Sequence, residues 1–78
     1  MKAVKVLYFA SLRELLGKSD DTLPLDVGQT ALSIWQTLNP SSSLPESCLI
    51  AINQEYAAAD SVVNAGDELA FFPPVTGG

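Results

Sequence analysis

The sequence predicts an α+β fold, one mixed β-sheet packed on one main helix with a flexible C-terminal glycine tail, and three observations carry that prediction. Ala3 to Phe9 alternates with the period of two that a half-buried strand needs, setting Val4, Val6 and Tyr8 on one face and Lys5, Leu7 and Phe9 on the other. Ala31, Ile34, Trp35 and Leu38 recur at the spacing of a single buried helical stripe. The 78 residues are 47% hydrophobic and 17% charged, which is too apolar for a disordered chain and too short for a second domain.

Taken in order, the first strand is followed by Ser11-Leu12-Arg13-Glu14, which fits a capping box, and Gly17 then stops a short helix. Lys18 to Asp21 reads as a polar turn. Thr22 to Val27 reads as a second strand with Leu23, Leu25 and Val27 on one side, and Pro24 confines it to an edge or a bulge because a central strand would miss its amide. Thr30 is the expected N-cap of the main helix, and Asn39-Pro40 ends it. On that stripe Trp35 is read as core.

Pro40 to Ser47 is a serine-rich loop, and Cys48 to Ile52 a buried strand that turns at Asn53-Gln54 into a shorter one around Tyr56. Ala57 to Val63 is expected to contain a helical turn capped by Asp60. Ala65-Gly66-Asp67 is a turn leading into a last strand, Glu68 to Phe72. Pro73 and Pro74 withhold two backbone donors, so that strand must stop there and leave the sheet extended. This divides the chain into a folded domain, 1–73, and a tail, 74–78.

Composition excludes most kinds of chemistry. A net charge of −5, from nine acidic and four scattered basic residues, leaves no stripe to neutralise nucleic-acid phosphates. The apolar runs are too short to span a bilayer, and Met1-Lys2 leads into a strand pattern, so a soluble cytoplasmic protein is expected. One cysteine and no histidine provide neither a catalytic pair nor a zinc cluster; Cys48 is read as a small core residue. What stands out is the tail. Gly77 and Gly78 carry no Cβ, so a carboxylate at their end can enter a slot too narrow for other residues.

The run Phe71-Phe72-Pro73-Pro74-Val75-Thr76-Gly77-Gly78, behind the acidic turn Gly66-Asp67-Glu68, resembles the C-terminal signature of the sulfur-carrying small subunit of molybdopterin synthase. Lys5 to Ala10 followed by Leu12 to Leu15, and Ala51-Ile52-Asn53-Gln54, extend the resemblance to the start and centre of the chain. It implies a ubiquitin-like β-grasp fold with the first and last strands parallel. Alternation then turns Leu69 and Phe71 to the helix and Glu68, Ala70 and Phe72 outward, with Phe72 beside Phe9 on the open face.

The resemblance also implies the chemistry. Gly78 is the reacting residue: a partner resembling ubiquitin-activating enzymes, an adenylyltransferase, uses ATP and magnesium to convert its carboxylate into an acyl adenylate. A sulfur donor protein then replaces AMP to leave a thiocarboxylate. Val75, Thr76 and Gly77 form the tail that enters the large subunit of molybdopterin synthase, in a heterotetramer, where sulfur passes to cyclic pyranopterin monophosphate to build a dithiolene. Phe9, Phe72, Leu7 and Tyr56 are the expected docking face. No cofactor or metal is expected on this chain, and no catalytic side chain of its own. From Phe72 to Gly78 the extended chain spans about 20 Å, enough to reach a buried site from a docked sheet. Other readings are a carrier for another pathway, such as the thiamine type, a ubiquitin-like modifier joined to lysines, and a docking module with an inert tail.

Overall fold

A computed structural model describes residues 2–74 of the chain. It contains β1 (Ala3–Tyr8), α1 (Ser11–Leu16), β2 (Asp20–Pro24), β3 (Gln29–Thr30), α2 (Ala31–Leu38), β4 (Leu49–Ile52), β5 (Glu55–Ala57), β6 (Val62–Val63) and β7 (Glu68–Phe72). Five strands form one sheet in the order β2-β1-β7-β4-β5, and β3 with β6 forms a separate two-stranded ribbon. Only β1 and β7 run parallel, with Lys5 opposite Glu68 and Tyr8 opposite Phe71; the other pairs are antiparallel. This is the mixed β-grasp sheet that the sequence led us to expect.

The core lies between that sheet and α2. Val4, Val6 and Tyr8 from β1, Leu69 and Phe71 from β7, Ile50 from β4, and Ala31, Ile34 and Trp35 from α2 are all buried. Every second residue of β1 and β7 enters this layer, which is what removes so much apolar area from water in so short a chain. Trp35 is fully buried at its centre, edge-on to Phe71 with ring centroids 5.0 Å apart and to Tyr8 at 5.9 Å. Its indole Nε1–H donates to the Ser42 carbonyl over 2.7 Å, so the serine-rich loop closes over the helix by satisfying a buried donor.

Several local expectations hold for the reasons given. The Thr30 hydroxyl accepts from the Ser33 amide over 3.1 Å, capping α2. Gly17 sits left-handed, φ 72°, and returns its amide to the Arg13 carbonyl. Asn53 and Gln54 are both at positive φ, 52° and 69°, as a two-residue hairpin turn with the twist of its strands requires. Strand β7 ends at Phe72, where the prolines begin, and β2 is an edge strand with Pro24 as its last residue.

Four expectations are corrected. The capping box does not form. Ser11 is the first helical residue and Ala10 precedes the helix at φ 53°, with no side-chain cap; the amides of Leu12 and Arg13 bond the carbonyls of Phe9 and Ala10 instead. The sharp exit from β1 thus closes the first turn with backbone alone. The second strand covers Asp20–Pro24 and not Thr22 to Val27, because pairing with β1 sets Asp20 opposite Leu7 and Pro24 opposite Ala3. Leu25 is buried beyond its end, and Val27 is 72% exposed.

No helical turn forms between Ala57 and Val63. A tight turn is closed there by the Ser61 amide on the Ala58 carbonyl and by the Ala58 amide on the Ser61 hydroxyl, so Asp60 caps nothing. The chain then pairs Val62 and Val63 with Thr30 and Gln29, a ribbon too short to leave a periodic signal. The fourth correction is small: β1 ends at Tyr8 and β4 begins at Leu49, leaving Phe9 and Cys48 just outside the strands they were expected to join.

Candidate functional site

The outward face of the sheet is set by the same alternation that builds the core. With Leu69 and Phe71 turned inward, the registers align Leu7, Ala70, Ala51 and Tyr56 in one row across β1, β7, β4 and β5. Leu49 and Phe72 form the next row. The Phe9 amide donates to the Phe71 carbonyl over 3.2 Å, which continues the β1–β7 ladder by one step and sets Phe9 in register with Phe72. The Tyr56 ring lies 6.0 Å from that of Phe72, tilted by 43°. Leu7 and Phe72 are half-buried, while Phe9 is 45% and Tyr56 79% exposed.

All four residues expected on the docking face therefore share one apolar surface, and its polar margin is the row that holds Lys5 and Glu68. Exposed aromatics clustered in this way are costly to leave in water. The tail residues Val75, Thr76, Gly77 and Gly78 lie outside the described residues. Their root is held from below, where the Phe71 ring stacks on Tyr8, centroids 6.0 Å apart and planes 14° apart, and meets Trp35 edge-on.

Beside that root is a polar cluster that the sequence reasoning missed. The Tyr8 hydroxyl donates to Asp21 Oδ2 over 3.0 Å and accepts from Asn39 Nδ2 over 3.1 Å. Lys18 Nζ reaches the same Asp21 oxygen at 2.6 Å, lies 5.5 Å from the Tyr8 ring centroid, and donates to the Leu38 carbonyl at the end of α2 over 3.4 Å. Burial, with the hydrogen bond and charge of Asp21 behind it and the Asn39 amide opposing, pushes the Tyr8 phenol up to about 12. The signal available was Tyr8 itself, because a tyrosine on a core face needs a partner for its hydroxyl; Asp21, Asn39 and Lys18 carried no mark of being that partner.

At the opposite end of β7 a second cluster ties two turns together. Asn53 donates from Nδ2 to Asp67 Oδ1 over 3.1 Å and accepts the Glu68 amide over 3.0 Å, while the Asn64 amide donates to Asp67 Oδ2 over 2.9 Å. The Asn64 amide first, then Asn53, hold the Asp67 carboxyl below its usual range. The first cluster ties β1 and β2 to the end of α2, and the second holds the start of β7 through the Glu68 amide.

The chemistry available to these side chains is limited. Burial pushes the Cys48 thiol up, away from the thiolate a nucleophile needs, and it packs against the core. Among the described residues no group of three His, Cys, Asp or Glu side chains could hold a metal ion, and no helix is long and apolar enough to cross a membrane. What the described surface offers is an apolar face beside the end of β7.

Comparison with known proteins points the same way. Residues 6–78 match the ThiS family. The chain is 40% identical to a molybdopterin synthase sulfur carrier subunit of Arabidopsis thaliana, over 96% of this chain and 82% of that one. It is 38% identical to the protein of that name from Escherichia coli, over 96% and 99% respectively. Among solved structures it resembles SAMP1 from Haloferax volcanii with a TM-score of 0.78 at 28% identity, covering 97% of this chain and 99% of the other.

Proposed function

Because the chain belongs to the ThiS family and, within it, to the molybdopterin synthase sulfur carrier subunits, we propose that it carries sulfur as a thiocarboxylate on Gly78 and donates it to cyclic pyranopterin monophosphate in the large subunit of that enzyme. The observation that carries this reading is that the family match runs through residue 78, tail included.

A carboxylate is a poor electrophile, and this chain has no histidine with which to activate one. Activation is assigned to an adenylating partner. One carboxylate oxygen of Gly78 attacks the α-phosphate of ATP, with magnesium, and pyrophosphate leaves. The outer sulfur of a donor protein's persulfide then attacks the acyl carbon and expels AMP, which takes that oxygen with it, and a thiol cleaves the resulting acyl disulfide to leave the thiocarboxylate and the donor as a disulfide. In the large subunit the sulfur moves to the pterin precursor and water restores the carboxylate; two such transfers complete the dithiolene. The carrier is in this sense a cosubstrate, acting in the cytoplasm and contributing binding and presentation.

Leu7, Phe9, Tyr56 and Phe72 supply the binding, and Val75 to Gly77 the reach. Pro73 and Pro74 stiffen the exit and reduce the entropy lost when the tail inserts. The test is the intact mass after incubation with the cognate adenylating enzyme, ATP, magnesium and a sulfur donor. An oxygen-to-sulfur exchange mapped to Gly78 is expected, and no change beside an active control carrier overturns the reading. The likeness to SAMP1, a small archaeal modifier by name, favours a second reading, in which the same activated carboxylate is joined to lysines. An isopeptide-linked adduct ending in Gly78 would reveal it.

A further inference from the structure

We infer that the groove between α2 and the β4–β5 hairpin is a second contact for the large subunit, and that it takes an apolar side chain of that subunit flanked by lysine or arginine. The inference rests on the carrier reading for the identity of the partner; the groove's chemistry stands on its own residues. About 500 Å3 of open groove lies over Leu44, Cys48, Ala57 and Ala59, with Leu32 and Tyr56 at its lips. Leu32 is 37% and Tyr56 79% exposed. The floor thus has no polar side chain to satisfy, and an apolar group entering it gains by leaving water.

The charge around it has one sign. Glu46 lines the groove, and Glu55 and Asp60, both exposed, belong to the strand and the turn that frame it. The four basic residues, Lys2, Lys5, Arg13 and Lys18, all lie in or beside β1 and α1, and β7 and β4 stand between β1 and β5. Among the described residues no lysine or arginine lines the groove, and Lys18 reaches only the far end of α2 at Leu38. An acidic rim over an apolar floor repels anionic lipid and nucleic acid, and it repels a second copy of a chain carrying −5. The complementary occupant is a protein segment with a basic residue beside an apolar one.

Tyr56 and Leu49 belong both to this groove and to the outward rows of the sheet. A partner lying on Phe72 and Tyr56 therefore continues over the β5 edge into the groove without a gap. That continuity assigns the groove to the protein that covers the face.

The experiment is a calorimetric titration of the full-length chain with the cognate large subunit in about 50 mM and about 500 mM salt, where screening of exposed charges differs strongly. The E46K/E55K double variant is expected to bind about tenfold more weakly at low salt and nearly normally at high salt. Leu32→Ser, at a position outside the core cluster, is expected to bind several-fold more weakly at both; thermal melts of both variants establish that they are folded. Wild-type affinity for the large subunit in both variants overturns the groove. Failure of the wild-type chain to bind the large subunit at all removes the carrier reading, and the assignment of the groove with it.

Discussion

Replacing Trp35 with alanine should remove about half or more of the domain's stability, and the structure provides the magnitude. Truncating a fully buried aromatic costs about 3–5 kcal/mol through lost transfer energy and the cavity left behind. The edge-on contacts to Phe71 and Tyr8 disappear with the ring, at about 0.5–1.5 kcal/mol each. The Ser42 carbonyl also loses the indole N–H that it accepts over 2.7 Å, at about 1 kcal/mol. These contributions overlap, so we take about 4–6 kcal/mol in all. A domain of 78 residues holds about 4–12 kcal/mol in total.

Trp35→Phe keeps most of the ring and drops the donor, so it should remain folded while losing about 1–2 kcal/mol. In urea, followed by far-ultraviolet circular dichroism because the fluorophore is gone, its midpoint should fall by about 1 M at the slope usual for small domains. Its melting temperature should fall by about 4–16 °C. A midpoint for Trp35→Ala within about 0.5 M of wild type would refute the reasoning, since it would mean that neither the cavity nor the orphaned carbonyl matters.

Three further outcomes are expected. Phe72→Ala should weaken binding to the large subunit by about 1–2 kcal/mol in calorimetry while leaving the melting temperature nearly unchanged, because the ring is half-buried on the outer face; unchanged affinity removes the docking face. Tyr8 has its folded pKa raised to about 12 from the ordinary phenol value of 10.0, so the stability it contributes is complete below pH 10.0 and lost as pH rises from there towards 12. Tyr8→Phe should remove that part of the alkaline loss in urea titrations at stepped pH, and an identical pH profile would exclude the phenol as its source. Asp67 has its pKa lowered from 3.8, so its contribution is complete above that value and lost as pH falls through the folded pKa. Asp67→Asn should flatten the acid limb of the stability profile, and an acid limb matching wild type would show that the link between the two turns adds no pH-dependent stability.

Much of the candidate site was legible because it depends on period alone. The parity of β1 determines that Leu7 and Phe9 share the face opposite Tyr8, and the parity of β7 does the same for Phe72 opposite Phe71. Ala10 was not legible: its positive φ replaces a capping box whose residue types, Ser11 and Glu14, are all present. Local side chains offered one way of closing that turn, and the direction in which the chain leaves the sheet selected another. Val27 failed for a related reason, since pairing with β1 decides where β2 stops.

The sequence by itself determined the helix and the two central strands, their inward residues, the end of β7 at the prolines and the family to which the chain belongs, because each of these is written in neighbouring residues. Only the tertiary structure decided that Tyr8, Lys18, Asp21 and Asn39 form one polar cluster. It also brought Val62 and Val63 to Gln29 and Thr30, and set Leu32 across a groove from Tyr56. Those residues lie far apart along the chain, and no local periodicity records which distant group a hydroxyl, a short strand or a groove wall will meet once the sheet has closed on the helix.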